Sequence, residues 1–498
     1  MKLILSTAIL FYSLVTFGQI KVEGDLEFPS QGEETVQSVY PVGKRGFLAY
    51  AKINDTESDR YTLTLFSPQL EKGNSHEFDL NIRTKDHGLL VNADSTEFTF
   101  IRASRSEWML KTFHVADESF TEKTHKITEG SFVPLTFLRL KNKIIMTGLI
   151  HRRPRIMMMD METGQQDVLE IPEMSATGSV ESLSVDEKDE HGVIFFRKGR
   201  DQKLSSMNLI FLDPNGTFSA PYSLEKSSDF SIIDGTVSWL NENTFLLAGT
   251  YGLGHTSNKA TGFYISKWEN NVQQFITYHS FSEFKKFANF LPERQQKQIA
   301  KKSKKEDAKD IIENMIVLHP AFVTEKGFRM VGEVYYPTYR KEYRTSVDAN
   351  GRMTTRAVDV FDGFEYTHAA VLDLDMEGNK TGDCCFPFDL REKPYKAVEF
   401  LRIYDDKDGE SHMMYAGSST LTDVSITDGE ATINTVGNYA ENLFTTGRTP
   451  DFVKCVYWYG NVYLAYSVQK IDADADASKK EKRNRPTVFV VNKVSYQE

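Results

Sequence analysis

A four-strand pattern recurs along almost the whole sequence, and it restricts the chain to a small set of folds. The pattern is clearest within residues 230–280, where short apolar or alternating stretches occupy 232–240, 245–250, 262–268 and 273–279. Polar, Asn-rich turns separate the first two and the last two stretches. Period-two alternation between such turns is typical of strands rather than of helices. We therefore expect this segment to form a four-stranded antiparallel sheet.

The same pattern can be followed through eight units, with no Pro-, Gly- or Ser-rich linker between them. A repeat architecture lets 498 residues form one domain, because each unit packs on its neighbours. The eighth unit has only three strands, and a spare strand lies at 20–28. Pairing 20–28 with 487–494 would complete that unit and remove the exposed sheet edges. The sequence thus predicts an all-β fold, a closed β-propeller of eight four-stranded blades. Seven blades is the alternative, because the seventh unit (398–436) is faint.

The first eighteen residues have the pattern of a secretory signal peptide. Lys2 precedes an apolar run at 3–15, and Thr16-Phe17-Gly18 suits a cleavage site before Gln19. No later stretch approaches the ~20 apolar residues that a membrane span needs. We expect residues 19–498 to form one propeller domain that is exported to the periplasm or the extracellular space.

Net charge bears on the possible partners of the protein, and cysteine content bears on its possible disulfides. A net charge of −11 and a pI near 5.6 argue against a nucleic-acid partner. Only Cys384, Cys385 and Cys455 are present. This odd and sparse set predicts buried or idle thiols rather than a disulfide framework.

The long connections fall on one face of the predicted ring. In such blades the loops between second and third strands share a face with the blade-to-blade connections. The largest departures from the repeat lie there: a helical insertion at 281–315, a loop or hairpin insertion at 337–367 and the segment 472–485. Loops on a rigid scaffold commonly carry recognition. We therefore expect the binding surface on this face.

The helical insertion is expected to begin with Ser282 as a cap and to place Phe284, Phe287 and Leu291 on one side. A capping box at 303–306 predicts a second helical segment. The lysines between them suit either a solvated elaboration or a basic lid over the axial opening.

Two groups of candidate ligand-binding residues lie on the loop-rich face. His151, Arg152, Arg153 and Arg155 form a compact cationic loop that could hold a carboxylate, sulfate or phosphate, or could simply be solvated. His255 lies on the same face. The second group mixes aromatic and cationic side chains that could stack on a sugar, a peptide or an anionic ligand: Tyr335, Tyr336, Tyr339, Arg340, Tyr343 and Arg344. The alternative is a long hairpin packed on its own aromatics.

Known catalytic and metal-binding motifs are missing from the sequence. It contains no GxSxG, P-loop, dinucleotide or HExxH motif. Residues 472–476 and 373–378 approach a calcium loop, but the former lacks the required glycine and both lack the bidentate Glu. We therefore assign no catalytic residue, no metal and no cofactor. Carboxylates available for an enzyme on this face are Asp55, Asp201, Asp359, Asp362 and Glu365.

One local resemblance adds to this interpretation. The segments 332–340 (GEVYYPTYR) and 361–379 (FDGFEYTHAAVLDLDMEGN) resemble parts of secreted, uncharacterised β-propeller-like proteins of Bacteroidota. The end of the signal, Phe17-Gly18-Gln19, is also similar to exported proteins of that group. The resemblance covers a small part of the chain. It implies an exported propeller and no established activity.

The sequence favours a non-catalytic binding propeller that recognises a glycan, peptide or protein partner through its loop-rich face. Alternatives are a secreted glycan hydrolase or lyase using that face, and an envelope assembly or structural component. A close carboxylate pair would favour the enzyme, and an exposed aromatic strip along the insertions would favour a protein partner. A concave pocket walled by Tyr335, Tyr339 and Arg340 would favour a small ligand. Arg152 and Arg340 are expected to contribute to binding one anionic ligand.

Overall fold

The structure is a computed structural model. It describes residues 19–30, 34–54, 59–80, 85–130, 132–186, 190–198, 207–224, 230–253, 259–302, 312–347, 353–390, 392–405, 411–417, 420–427, 429–436, 448–471 and 487–497. The predicted signal peptide, the predicted capping box at 303–306 and residues 472–485 lie outside these ranges. In the described part of the chain, no helix is long and apolar enough to cross a membrane.

The chain forms eight antiparallel sheets in sequence order. The first strand of the described residues is β1 (Gln19–Ser30). Blade 1 then comprises β2 (Glu34–Pro41), β3 (Phe47–Asn54), β4 (Asp59–Phe66) and β5 (Lys72–Leu80). Blade 2 comprises β6 (Lys85–Val91), β7 (Glu97–Ala103), β8 (Glu107–His114) and β9 (Ser119–Lys126). Blade 3 comprises β10 (Phe132–Leu140), β11 (Lys143–Ile150), β12 (Arg153–Asp160) and β13 (Gln166–Leu169). Blade 4 comprises β14 (Ser179–Val185), β15 (Gly192–Arg197), β16 (Met207–Leu212) and β17 (Tyr222–Ser223).

The second half of the ring carries the larger insertions. Blade 5 comprises β18 (Phe230–Asn241), β19 (Thr244–Leu253), β20 (Gly262–Glu269) and β21 (Val272–Ser280). The described insertion contains 3-10 turns at Phe281–Glu283 and Phe287–Phe290, followed by α1 (Glu293–Lys302). Blade 6 comprises β22 (Met315–Leu318), a short β23 (Phe322–Thr324), β24 (Gly327–Val347), β25 (Met353–Leu374) and β26 (Lys380–Pro387). Blade 7 comprises β27 (Arg402–Asp405), β28 (Ser411–Ala416), β29 (Leu421–Thr427) and β30 (Glu430–Val436).

Blade 8 joins the two ends of the described chain. It contains β31 (Arg448–Tyr459), β32 (Val462–Ile471) and β33 (Thr487–Gln497), with β1 as its fourth strand. β1 runs antiparallel to β33, from the Gln19–Gln497 pair to the Ser30–Thr487 pair. The prediction of eight blades completed by the N-terminal strand is confirmed. The faint seventh unit is a complete blade with short strands.

Hydrophobic side chains fill each of the eight junctions between neighbouring blades. At the closing junction, Trp458 of blade 8 meets Phe47 of blade 1 edge to face, with ring centroids 5.7 Å apart. The indole N–H of Trp458 also donates to the carbonyls of Gly43 and Gly46, each at 2.8 Å. Because this junction is packed like the other seven, the stack of sheets is a closed ring.

The first strand of each blade lies nearest the axis. The first strand of blade 3 contacts the first strands of blades 2 and 4, whereas all six residues of second strand β15 are buried between neighbours. Strand β10 keeps alternate side chains exposed, with Val133 at 57% and Leu135 at 65%. Channel-facing and loop-face residues therefore come from first strands and from the connections above them.

The helical insertion differs from its prediction in its first part, where two 3-10 turns replace the expected short helix and the cap is a different serine. Ser280, not Ser282, is the cap, and its hydroxyl accepts from the Ser282 N–H. Strand β21 runs to Ser280, and the first 3-10 turn begins directly after it at Phe281, so the cap is the last residue of the strand. The apolar side of the insertion is buried: Phe281, Phe284, Phe287 and Leu291. The second 3-10 turn packs on β25 and on β26, the outermost strand of blade 6, so this part of the insertion covers the blade rather than the axis.

Candidate functional site

The long hairpin of blade 6 is the dominant feature of the loop-rich face. Strands β24 and β25 pair continuously from Phe328–Leu374 to Val347–Met353. The strands on either side are much shorter. Strand β22 pairs with β24 only as far as Tyr335, and β26 pairs with β25 only from His368. Residues 336–347 and 353–365 thus extend beyond the sheet as a two-stranded ribbon, which we call the arm. The hairpin alternative for 337–367 is confirmed.

An aromatic ladder runs up one side of the arm from the blade core. It begins with Phe400 against Tyr366 (ring centroids 4.8 Å apart) and continues with Tyr366 against Tyr335 (5.2 Å). Phe364 contacts Tyr335 at 5.0 Å and Phe361 at 5.0 Å. Tyr339 and Tyr395 end the ladder, each against Phe361. Because the lower rungs are buried and the upper ones exposed, core packing continues without a break into a solvent-facing surface.

The arm is fixed at its root by the connection between blades 6 and 7. Phe364 donates its N–H to the Pro394 carbonyl at 2.8 Å. The Tyr366 hydroxyl donates to the Val398 carbonyl at 2.7 Å and accepts from the Val398 N–H at 2.9 Å. Gly363 has a φ of +92°, and a Cβ there would lie 2.4 Å from the Lys393 carbonyl. These contacts hold the ribbon in one orientation.

A polar cluster beside the root reinforces it. Glu365 accepts from the Tyr336 hydroxyl at 2.5 Å and pairs with Lys393 at 2.7 Å. Partial burial pushes the pKa of Glu365 upward, but the hydrogen bonds from Lys393 and Tyr336 outweigh burial and lower it. Burial together with the Glu365 charge raises the pKa of Tyr336. At neutral pH the pair is therefore a carboxylate and a neutral phenol.

A fully buried carboxylate anchors the connection from below. Glu333 accepts from His319 at 2.8 Å and from the N–H groups of Phe400 and Leu401 at 3.0 and 2.9 Å. A buried carboxylate is tolerated only when donors surround it. Glu333 therefore joins β24, the turn before β23 and the connection that holds the arm.

Cross-strand register divides the arm into two faces. Directly opposed residues share a face, so Tyr339, Tyr343 and Met353 lie on one side with Phe361. These side chains are 61%, 75% and 71% exposed, and the neighbouring Tyr395 is 64% exposed. We call this set the apolar face of the arm. The sequence signalled Tyr339 and Tyr343, but nothing in the sequence marked Tyr395, which belongs to an irregular connection.

The other face of the arm is mainly cationic. Arg340 lies 3.0 Å from Glu342 and 3.7 Å from Asp362, and Arg344 lies 3.5 Å from Glu342. Arg356, opposite Arg344, has no carboxylate partner in the described part of the chain. Tyr335, Tyr339 and Arg340 do not wall one concave pocket. Tyr335 is buried in the ladder, whereas Tyr339 and Arg340 point to opposite faces of a projecting ribbon.

The cationic loop of the first candidate group lies on blade 3. His151 and Arg152 are the two central residues of the β11–β12 turn, with φ of 49° and 66°. His151, Arg152 and Arg153 are exposed, whereas Arg155 pairs with Glu170 at 2.6 Å. Blades 3 and 6 are not adjacent. Arg152 and Arg340 therefore lie on separate surfaces, and their contribution to binding one anionic ligand stays a prediction.

The remaining candidates are only partly covered. His255, Asp55 and Asp201 lie outside the described residues. Of the other carboxylates, Glu365 is held by Lys393 and Tyr336, and Asp362 faces Arg340. Asp375 accepts from the Glu377 and Asn379 N–H groups, so the segment 373–378 is the end of β25 followed by a turn. Among the described residues, no group of three His, Cys, Asp or Glu is arranged to hold a metal ion.

The three cysteines are unpaired thiols. Burial raises the pKa of Cys384 and of Cys455 to about 12, and it raises that of Cys385 as well. Thiols with such pKa values carry almost no thiolate at neutral pH. This agrees with the prediction of idle side chains.

The fold and these surfaces define an eight-bladed β-propeller with a projecting arm. Similar solved structures include a prolyl endopeptidase (10% identity, TM-score 0.39, covering 88% of this chain and 53% of that one). Others are the β-propeller domain of the Trilobed protease from Pyrococcus furiosus (9%, 0.37, 84% and 99%) and the polysaccharide lyase Uly1 (9%, 0.38, 96% and 100%). The chain spans about half the length of that prolyl endopeptidase. No protein family and no curated protein matches the chain. The likeness to these structures concerns fold alone.

Proposed function

We propose that this protein is an exported, non-catalytic binding propeller that docks a protein partner on the arm. One observation carries the proposal: Tyr339, Tyr343 and Met353 are 61–75% exposed on one face of a rigidly rooted ribbon. Large apolar side chains concentrated on one projecting element are typical of interaction sites rather than of ordinary surface. Tyrosine is also among the residues that contribute most to binding energy at protein interfaces.

The shape of the arm favours a protein over a glycan or a small ligand. A small ligand needs a concave site that buries most of its surface, whereas the arm is a projecting two-stranded ribbon. Both edges of the ribbon between residues 339–347 and 353–361 lack a third strand in the described structure. Open edges offer unpaired N–H and C=O groups that can hydrogen-bond an added strand. A partner segment in extended conformation can use the backbone edge and the apolar face together.

The charge of the arm favours an acidic partner segment. Beyond the Tyr339–Phe361 pair, the described strands carry four cations, Arg340, Lys341, Arg344 and Arg356, against two carboxylates, Glu342 and Asp359. The whole chain has a net charge of −11, so the arm is a locally basic element on an acidic protein. Complementary charge raises the association rate and fixes the register of binding. We therefore propose that the partner presents a protein segment with alternating apolar and acidic residues.

The rigid root contributes to affinity. The ladder and the contacts to Lys393, Pro394 and Val398 order the arm before any partner arrives. A preordered surface loses less conformational entropy on binding. Export is supported by the signal-like residues 1–18, whose Lys2 precedes an apolar run and a small-residue cleavage site.

The test is selection of a random-peptide display library against residues 19–498. We expect enriched peptides to alternate apolar and acidic residues and to bind the purified protein in a direct titration. Tyr343→Ser should weaken their binding at least about tenfold, because an exposed interface tyrosine contributes about 2 kcal/mol. Arg356→Glu should weaken the binding of acidic peptides further, because it replaces a cation of the arm with a carboxylate. It should leave the other properties of the protein unchanged.

Matched controls separate the arm from the rest of the surface. Tyr457→Ser removes a tyrosine that is 39% exposed on blade 8 and should leave affinity unchanged. Sedimentation of the unliganded protein tests the competing occupant, a second copy of the chain. Enriched peptides that bind Tyr343→Ser as tightly as the unaltered protein would refute the proposal. So would self-association that depends on Tyr343.

A further inference from the structure

We infer that a second, independent site lies between blades 3 and 4 and binds small carboxylates with an apolar body. A cavity of about 420 Å³ opens there on the loop-rich face. This volume falls within the range of small-molecule sites, about 300–1,000 Å³. The cavity is separate from the arm, because none of the residues that line the cavity belongs to blade 6.

Three elements wall the cavity. Thr147 and Gly148 of β11 form part of the lining, and Leu135 of the innermost strand β10 forms one side. Leu135 sits at a bulge between the Pro134–Gly148 and Thr136–Thr147 pairs. The opposite side is the connection into β14, residues 176–180. The site is therefore built on the rigid junction of two blades.

Arg152 is the one charged side chain in the cavity lining. It has no carboxylate within ion-pair distance in the described part of the chain, whereas the neighbouring Arg155 is paired with Glu170. Glu181, just beyond the lining segment, lies 3.4 Å from Arg197 and accepts from the Ser179 hydroxyl. The cavity thus presents one available guanidinium, which matches a carboxylate in a bidentate geometry.

The rest of the lining defines the body of the ligand. Leu135, Leu149, Pro154, Ala176 and Val180 are apolar, and Thr147 and Thr177 supply hydroxyls. A ligand with a carboxylate at one end and an aliphatic or aromatic body satisfies both parts. Such chemistry is supplied by short peptides with an apolar C-terminal residue and by free apolar acids. The experiment distinguishes these two sources.

The turn carries two successive residues of positive φ that are neither Asn nor Gly. Both central residues of the turn are in the left-handed region, where Asn and Gly are usual and bulky residues are strained. The equivalent conformation in the blade 5 turn, with φ of 49° and 65°, is filled by Asn270 and Asn271. Keeping His151 and Arg152 in this conformation costs stability. Strain of this kind concentrates at ligand sites.

The test is calorimetric titration of residues 19–498 with two acid and amide pairs. The pairs are phenylbutyrate with phenylbutyramide, and N-acetyl-leucyl-leucine with its C-terminal amide. We expect at least one acid to bind about tenfold or more tighter than its amide, because only the acid makes a charge-assisted hydrogen bond. The pair with the larger difference identifies the source. No binding of either acid in the millimolar range would overturn the inference.

Variants assign the binding to Arg152. Arg152→Asn keeps a residue that tolerates positive φ and should abolish the preference for the acid, while Arg152→Lys should retain part of it. Arg153→Asn is the matched control, since Arg153 is exposed on the same turn but does not line the cavity. Equal acid affinity in Arg152→Asn, or equal loss in Arg153→Asn, would overturn the assignment. Tyr343→Ser should bind the acids normally, so failure here and failure at the arm are distinguishable.

Discussion

At the residue scale, the β11–β12 turn holds Arg152, the side chain that we propose binds a carboxylate, in a backbone conformation that costs stability. His151 and Asn270 occupy the first central position of two turns with the same φ of 49°. The left-handed region costs most residues about 1–2 kcal/mol and costs Asn less, because its short side chain bonds locally. The two positions therefore form a natural matched pair.

We predict that His151→Asn raises the free energy of unfolding by about 1 kcal/mol and that Asn270→His lowers it by a similar amount. Urea denaturation of both variants measures the two changes. Because Arg152 is retained, His151→Asn should still prefer acids over amides in the cavity. Changes of the same sign in the two variants would show that side-chain contacts, rather than backbone conformation, set the stability of these turns.

The same turn shows how far the site could be predicted. The cations at 151–155 are adjacent in sequence, so their grouping was visible without a structure. That Arg152 lines a cavity while Arg155 pairs with Glu170 depends on side-chain directions in a hairpin. Leu135 and residues 176–180 meet Arg152 only because two blades are neighbours. A periodicity argument follows one strand at a time and does not give such contacts.

At the element scale, the arm is a strand pair that outgrows its sheet. The mixture of aromatic and cationic residues predicted either a ligand-binding loop or a hairpin at 337–367, and the ladder explains why a hairpin forms. Phe361, Phe364 and Tyr366 continue the core outward from Tyr335. The connection that fixes the root has no repeating pattern. Its role became visible only from the contacts of Lys393, Pro394 and Val398.

Gly363 is the point at which that connection crosses the arm, and it should not tolerate a side chain. We predict that Gly363→Ala weakens binding of arm-selected peptides at least about fivefold and speeds amide exchange at 392–401. The added Cβ at a φ of +92° would lie 2.4 Å from the Lys393 carbonyl, a strain of about 1–3 kcal/mol. Hydrogen exchange with mass detection measures the second effect.

Gly130→Ala is the control for this substitution, because nothing lies within 4 Å of a Cβ there. It should alter neither peptide affinity nor exchange. Unchanged exchange at 392–401 in Gly363→Ala would mean that the connection does not order the arm.

At the scale of the whole molecule, the number of strands determines how the ring closes. Seven units of four strands and one of three, with a spare strand near the start, leave one arrangement without open edges. The structure has that arrangement, and the junction between blades 8 and 1 is packed by Phe47 and Trp458. Long-range closure could be predicted because it follows from edge pairing. Blade-to-blade side-chain contacts could not, because they depend on twist and spacing.

A chain that starts at residue 31 tests the role of β1 in closing the ring. This truncation leaves the edge of β33 unpaired along the ladder that runs from the Gln19–Gln497 pair to the Ser30–Thr487 pair. At about 1 kcal/mol per hydrogen bond, we expect the free energy of unfolding to fall by more than about 3 kcal/mol. Thermal denaturation should show a lower Tm, and a synthetic peptide of residues 19–30 should restore it.

A circular permutant provides the control for this truncation. It joins Gln497 to Gln19 through Asn-Gly and has its new ends within 348–352. Its Tm should match that of the parent, because the two strands are already an antiparallel pair suited to a two-residue turn. A truncated chain as stable as the parent would mean that packing between blades is sufficient to hold the ring. Strand β1 would then contribute nothing measurable to the closure of blade 8.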